Sequence, residues 1–181
     1  MERVKIGVLG GGRVGGALAA TWQAAGHEVT VSTRETVAET ASAGDVLLLA
    51  VPASAAADVL AAAGPVDGKV LIDATNNLSG GPDGATIAAL APGARVVKAF
   101  NTAFATFFNA TPPERPASLV LCGDDADAKA TVSALARDAG FEPIDAGGHE
   151  QAGDVEAFAR LVIRLAYRQG RGPFVYRFDA Q

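Results

Sequence analysis

"KIGVLGGGRVGGALAATW", residues 5–22, is an apolar run that stops at Gly10, Gly11 and Gly12 and then opens a helix-like stretch through Gly15 and Gly16. Gly10, Gly12 and Gly15 form the spacing G-x-G-x-x-G. Each has a separate physical task behind a first strand. Gly10 permits a tight turn out of the strand. Gly12 lets a pyrophosphate approach the backbone. Gly15 lets the helix pack close to the sheet. The helix start, at Arg13 and Val14, then offers unpaired N–H groups and the positive end of the helix dipole to phosphate. Val14, Leu18 and Trp22 give that helix an apolar face. Strand, glycine turn and amphipathic helix in this order predict a dinucleotide-binding unit.

The rest of the chain continues the pattern. Short apolar or β-branched runs predict strands at 3–9, 28–32, 45–51, 69–74, 95–100, 118–123 and 141–146. Helical stretches are expected at 13–25, 53–63, 83–91 and 125–139. Strands alternating with helices argue for βαβ units, and runs as apolar as "DVLLLAV" suit strands covered on both faces. The class is α/β: a mostly parallel sheet with helices on both faces, in one domain over residues 1–181. Residues 149–181 are expected as a C-terminal appendage, a long helix at 151–168 and a last strand at 172–178. Val155, Phe158, Val162 and Leu165 form its apolar stripe, and Glu156, Arg160, Arg164 and Arg168 a charged one. "TPPERPAS", residues 111–118, reads as an exposed loop.

Composition narrows the function. The 181 residues are 49% hydrophobic with net charge −5 and no basic block, so nucleic acid and anionic membranes have little electrostatic attraction to this chain. No apolar stretch reaches the about 18 residues of a membrane helix. The single cysteine, Cys122, reads as small core filler and excludes an internal disulfide or a cysteine metal cage. The expected setting is the cytoplasm, with no signal peptide in "MERVKIGVLGGG" and no metal site.

The second strand ends in "VSTRET". Ser32, Thr33 and Arg34 suit a 2′-phosphate, because arginine gives forked, charge-assisted bonds to phosphate. NADP is therefore expected over NAD, with Glu35 as the residue that would serve an NAD ribose if the strand ran one residue further. Asn76 and Asn77, then Asn101 and Thr102, follow two successive strands, the edge at which such sheets bind ligands. They are the acceptor-side candidates, together with His149, which also follows a strand and is read as a possible proton donor. Lys98, inside "RVVKAF", needs partners if buried. His27 reads as a surface turn residue, and "GDD" (123–125) as a strand exit with a helix N-cap.

With the glycine loop, "STR", "AVP" and "KAFNT" together, the chain resembles the coenzyme F-420-dependent NADP oxidoreductases, the 8-hydroxy-5-deazaflavin:NADPH oxidoreductases, in a short form. The pieces "GVLGGGRVGGALA", "AAGHEVTVSTR", "DVLLLAVP", "VLIDATNNLS", "ARVVKAFNT", "LCGDDADAK" and "FEPIDAGG" carry the likeness along nearly the whole chain. The resemblance implies a Rossmann-type NAD(P)-binding fold, hydride transfer between NADP(H) and a deazaflavin, and a homodimer. It places the pyrophosphate on Gly10, Gly11, Gly12, Arg13 and Val14, the 2′-phosphate on Thr33 and Arg34, and the nicotinamide beside Ala50, Val51 and Pro52. Its acceptor-side loops match Asn76, Asn77, Asn101 and Thr102. Longer members insert a helix and a strand where this chain has only "ETVAETASAG", so a more open adenine pocket and a missing third strand are expected. They also carry a further basic residue where this chain has Thr36, Val37 and Ala38.

The expected function is an NADPH-dependent oxidoreductase whose partner is a small redox acceptor, a deazaflavin such as coenzyme F-420 or a flavin. Hydride transfer needs stacked rings and exclusion of water rather than a catalytic triad, so no residue is assigned as a catalytic acid or base with certainty. The alternatives are a reductase of another small acceptor and an NADP-binding sensor without turnover.

Overall fold

The computed structural model describes residues 3–78, 84–108 and 115–179. Residues 83 and 111–114, parts of an expected helix and of the Pro-rich loop, lie outside these. Seven strands form one sheet: β1 (Lys5–Leu9), β2 (Glu28–Val31), β3 (Val46–Leu49), β4 (Val70–Asp73), β5 (Arg95–Lys98), β6 (Ala117–Gly123) and β7 (Phe141–Asp145), in the order β2-β1-β3-β4-β5-β6-β7. β1 to β5 are parallel. β6 runs antiparallel to β5, and β7 runs with β6. Among the described residues no strand lies outside β2, the place of the third strand in a six-strand doubly wound sheet, as the short linker predicts.

Alternation along the strands sorts the core into two layers. Ile6, Val8, Val46, Leu48, Ile72 and Val97 face α1 (Arg13–Ala24) and α5 (Ala126–Asp138), whose Leu18, Trp22, Val132 and Leu135 meet them. Leu9, Leu47, Leu49, Leu71 and Val96 face α2 (Val37–Ala43), α3 (Ala56–Ala63) and α4 (Gly84–Leu90). Such two-faced burial is why β3 and β4 read as continuous apolar runs. Trp22 is fully buried, and its indole N–H donates to the Leu135 carbonyl at 2.9 Å, satisfying the one polar atom that burial would otherwise strand.

Several elements differ from expectation. α2 forms within "ETVAETASAG", where Val37, Thr40 and Ala41 sit at helical spacing and are buried. β6 begins at Ala117, inside the stretch read as loop. The long C-terminal helix is a 3-10 turn (His149–Gln151), then α6 (Ala152–Ile163), then a π turn (Arg164–Arg168). The strand expected at 172–178 is not formed. That segment lies along β6 with the Ser118 N–H donating to the Tyr176 carbonyl at 2.9 Å, but the Ser118 hydroxyl accepts the Phe178 N–H and ends the ladder there. His27 is not a surface residue. Its Nδ1 accepts from the Val4 N–H and its Nε2 lies 3.0 Å from Asp138 Oδ2, tying the end of α1 to the end of α5. Glu156 leaves the charged stripe for the interior. The buried stripe of α6 is Ala152, Val155, Ala159 and Val162, with Phe158 half-buried. Asp125 caps α5 as read, accepting from the Ala128 N–H at 2.7 Å.

Candidate functional site

Backbone hydrogen bonds march across the carboxyl edge of the parallel strands. The Ser32 N–H donates to Val8, Ala50 to Leu9, Ala74 to Leu49 and Ala99 to Asp73, all at 2.9–3.1 Å. The loops after β1, β2, β3, β4 and β5 therefore stand side by side. Gly10 to Val14, Ser32 to Arg34 and Ala50 to Pro52 gather at one end of this row, and Asn76, Asn77, Asn101 and Thr102 at the other.

The three motif glycines separate by cause. Gly10 has φ +112°, and a Cβ there would lie 2.6 Å from the Ala50 carbonyl oxygen. A Cβ on Gly15 would press into the Gly10 carbonyl. Both are demanded by the chain's own packing. Gly12 is not: its backbone is ordinary (φ −71°), and a Cβ there meets nothing within 4 Å. It opens onto free space at the head of α1, whose first turn has no acidic residue and no side-chain cap. Unpaired N–H groups at a helix start, with a smooth approach past Gly12, fit the pyrophosphate of a dinucleotide.

At the end of β2, Thr33, Arg34 and Glu35 are exposed. The Thr33 hydroxyl donates to Glu35 Oε2 at 2.7 Å, and this bond holds the Glu35 carboxyl below its ordinary value. Among the described residues Arg34 makes no ion pair, which leaves its guanidinium available to a phosphate. The Thr33 N–H is spoken for by the Thr36 hydroxyl at 2.9 Å.

On the acceptor side Asn76 and Asn101 clasp each other. Asn76 Nδ2 donates to the Asn101 carbonyl at 2.8 Å, and Asn101 Nδ2 donates to Asn76 Oδ1 at 3.1 Å. Asn101 Oδ1 is buried without a partner among the described residues. Between Lys98 and this clasp the chain turns through Phe100, the one described non-glycine residue at positive φ (64°). Its fully buried ring is held edge-on by Trp22 and Phe108, 5.6 and 6.1 Å between centroids. A left-handed Phe costs about 1–2 kcal/mol, and the packing on both sides holds it there. The Thr102 hydroxyl is buried and meets the Tyr176 hydroxyl at 2.5 Å, which fastens the C-terminal segment over the loop.

His149 is not brought to this group. β7 runs antiparallel to β5, so the chain leaves it in the opposite direction: Gly123, at the end of β6, pairs with Val97 on one side and donates its N–H to the Gly147 carbonyl on the other, at 3.1 Å. His149 lines a cleft of about 230 Å³ with Arg95, Asp124 and Asp125, and its Nε2 lies 2.9 Å from the Gly84 carbonyl. Following a strand indicates the ligand edge only when that strand runs with the parallel set.

Lys98, singled out in the sequence as a lysine that needs partners, finds two that the sequence reading missed, Asp73 and Glu156. Lys98 is fully buried, 3.0 Å from Asp73 Oδ2 and 2.6 Å from the Thr75 carbonyl, donating to both. Glu156 Oε1 from α6 lies 2.8 Å from the same ammonium, a charge contact out of line for a hydrogen bond. Asp73 and Lys98 are register partners at the ends of β4 and β5. Opposite charges closing two apolar runs were the available signal; Glu156, in a run with arginines at four-residue spacing, gave none.

Among the described residues no group of three or more His, Cys, Asp or Glu could hold a metal ion, and no helix is long and apolar enough to cross a membrane.

The family model for NADP oxidoreductase, coenzyme F420-dependent, matches residues 5–43, from β1 through α2. Metalloreductase STEAP3 of Rattus norvegicus is 32% identical over 177 residues, 86% of this chain and 36% of that protein. Metalloreductase STEAP2 of Homo sapiens is 33% identical over 112 residues, 60% of this chain and 22% of that protein. The chain thus spans about a third or less of the curated relatives it matches. A crystal structure from Arthrobacter sp. FB24, named as a candidate F420-dependent NADP-reductase, superposes with TM-score 0.87 at 28% identity, covering 98% of this chain and 100% of that one. An imine reductase from Pseudomonas sp. shares the fold at 18% identity and TM-score 0.73, over 93% of this chain and 64% of that one. The chain has a Rossmann-type fold and is similar to the coenzyme F420-dependent NADP oxidoreductases, whose family model matches it over the glycine loop and the two strands and two helices from β1 through α2.

Proposed function

We propose that the protein is an NADPH-dependent oxidoreductase passing a hydride between NADP(H) and a deazaflavin, coenzyme F420, or a flavin-like acceptor. The observation that carries this reading is Gly12: the chain's own packing does not require a glycine there, and a bound pyrophosphate does. The backbone of Gly10 to Val14 and the start of α1 hold the phosphates. Arg34 takes the 2′-phosphate through charge-assisted bonds, with Thr33 beside it. Ala50, Val51 and Pro52 form the wall along which the nicotinamide end runs toward Asn76. When bound, NADPH supplies the hydride, two electrons and a hydrogen nucleus, and the acceptor's matching proton comes from solvent. The protein's part is to align the two rings and keep water from between them, which Asn76, Asn77, Asn101 and Thr102 serve at the far end of the row.

A second copy of the chain closes the acceptor end, since α6 and the segment after it leave Leu161, Tyr167, Val175 and Phe178 exposed. Oxidation of NADPH, followed by its absorbance, against coenzyme F420, riboflavin-type flavins and ferric complexes tests the reading. Turnover with the deazaflavin or a flavin supports it. Tight NADPH binding without turnover on any acceptor identifies a sensor instead. The ferric arm stands for a metal acceptor: the similarity to metalloreductases runs over 86% of this chain and favours, as a second reading, reduction of a metal ion.

A further inference from the structure

We propose that Lys98 is a positioning residue for the acceptor-side loops: with Asp73 and Glu156 it fixes Thr75 from beneath and so sets the Asn76–Asn101 clasp. This rests on the oxidoreductase reading given above.

Every polar group of Thr75 is used. Its N–H and its hydroxyl both donate to Asp73 Oδ1, at 2.9 and 2.7 Å, and its carbonyl accepts from Lys98 Nζ at 2.6 Å. The residue immediately before Asn76 is therefore held at three points, with the Lys98 bond on the peptide that joins the two. The other half of the clasp is aimed from the same strand end, since Phe100 turns the chain between Lys98 and Asn101. Asp73, Thr75 and Lys98 are each at most 1% exposed and Glu156 is 2% exposed. Two carboxylates and one ammonium in such a place are costly to desolvate, and apolar replacements of buried ion clusters commonly fold as well or better. Packing alone gives no reason for charge here. The cluster lies under the two loops that the sheet's topology assigns to ligand, and three separate elements, β4, β5 and α6, meet on one ammonium. Glu156 adds a tie from α6, whose continuation touches Thr102 through Tyr176.

The test compares the wild type with Lys98→Met and with the uncharged triple variant Asp73→Asn, Lys98→Met, Glu156→Leu, which leaves no buried charge behind should the single variant fail to fold. Two readouts are independent of turnover. Solvent exchange of the Asn76 and Asn101 side-chain amide protons, followed by NMR without ligand, is expected to be at least tenfold faster in the folded triple variant. NADPH affinity is expected to stay within about threefold, because the glycine loop and Arg34 are untouched, while the fluorescence of the bound nicotinamide falls toward that of free NADPH. With an active acceptor, kcat falls at least tenfold at nearly constant KM for NADPH, and the primary isotope effect with 4-deuterated NADPH grows. A merely structural cluster would lower thermal stability without moving the isotope effect or the KM-to-kcat split. Unchanged amide exchange in a folded triple variant overturns the inference whatever the turnover. Failure of the wild type to bind NADPH overturns the oxidoreductase reading instead, and the amide exchange still decides the role of Lys98.

Discussion

The Thr33 hydroxyl gives its one proton to Glu35, at 2.7 Å, in the place where a 2′-phosphate would have to be received. On the proposed reading a 2′-phosphate would compete with Glu35 for Thr33, which leaves Arg34 as the main discriminator. Arg34→Ala removes a charge-assisted contact of about 1.5–3 kcal/mol, so NADPH binding should weaken at least tenfold with NADH nearly unchanged. Glu35→Gln should act the other way and tighten NADPH several-fold. Titration of both nucleotides by fluorescence checks the pair; equal weakening of both by Arg34→Ala would refute the assignment.

The motif glycines should part company under substitution. Gly12→Val puts a side chain into open space, so thermal unfolding should shift little while NADPH binding is lost. Gly15→Ala drives a methyl into the Gly10 carbonyl and should destabilise the fold itself by about 1–3 kcal/mol. Calorimetry of the two variants with and without NADPH distinguishes them, and a Gly12→Val protein that binds normally would make the loop structural only.

Phe100 offers an inverted order of stabilities. Phe100→Ala loses the ring packed between Trp22 and Phe108, about 3–5 kcal/mol, and keeps the left-handed strain. Phe100→Gly loses the same ring but relieves the strain, so it should be more stable than the alanine variant by about 1 kcal/mol. Urea unfolding measures this directly, and an alanine variant at least as stable would show that the turn is unstrained.

Cys122 is buried on β6, and loss of hydration pushes its thiol up from 9.0 to about 11, with the Lys98 charge pulling the other way. The native protein should show no thiol reactive toward a disulfide reagent at pH 8, and one after unfolding. The sign of the pH effect follows from the raised value: between 9.0 and about 11 the unfolded chain releases a proton that the native one keeps. Stability should therefore fall as pH rises through that window, by about 1.4 kcal/mol per pH unit at most.

The exposed Leu161, Tyr167, Val175 and Phe178 should be covered in a homodimer. Light scattering at micromolar concentration should give twice the 18.2 kDa chain mass, and a single species at the chain mass would rule the dimer out.

Much of this architecture was legible because local signals agreed. β3 and β4 are apolar at every position but the last of β4, and the glycine spacing marks the one turn that must lie at the ligand edge. What failed were readings that depended on direction or on distant partners. His149 was assigned by following a strand whose direction reverses. Glu156 looked solvated because helical spacing reports a face and not what covers it. The terminal strand was read from "GPFVYRF", residues 172–178, yet whether a ladder forms depends on the neighbour, and there Ser118 offers a hydroxyl in place of a second backbone bond. Asn76 and Asn101 were found as separate strand-end residues; their mutual bonds are a property of the register between β4 and β5.

The place of β1 in the strand order has a consequence for how the chain is made. β1 pairs with β2 on one side and β3 on the other, so all three strands, and the glycine loop they carry, are complete once residue 49 has been synthesised. Domains assemble as their parts emerge, N-terminal first. Tyr176, by contrast, reaches Thr102 across 74 positions of sequence. The strands around the glycine loop can thus pair early, whereas the loop of Asn101 and Thr102 waits for Tyr176, well over a hundred residues after β3.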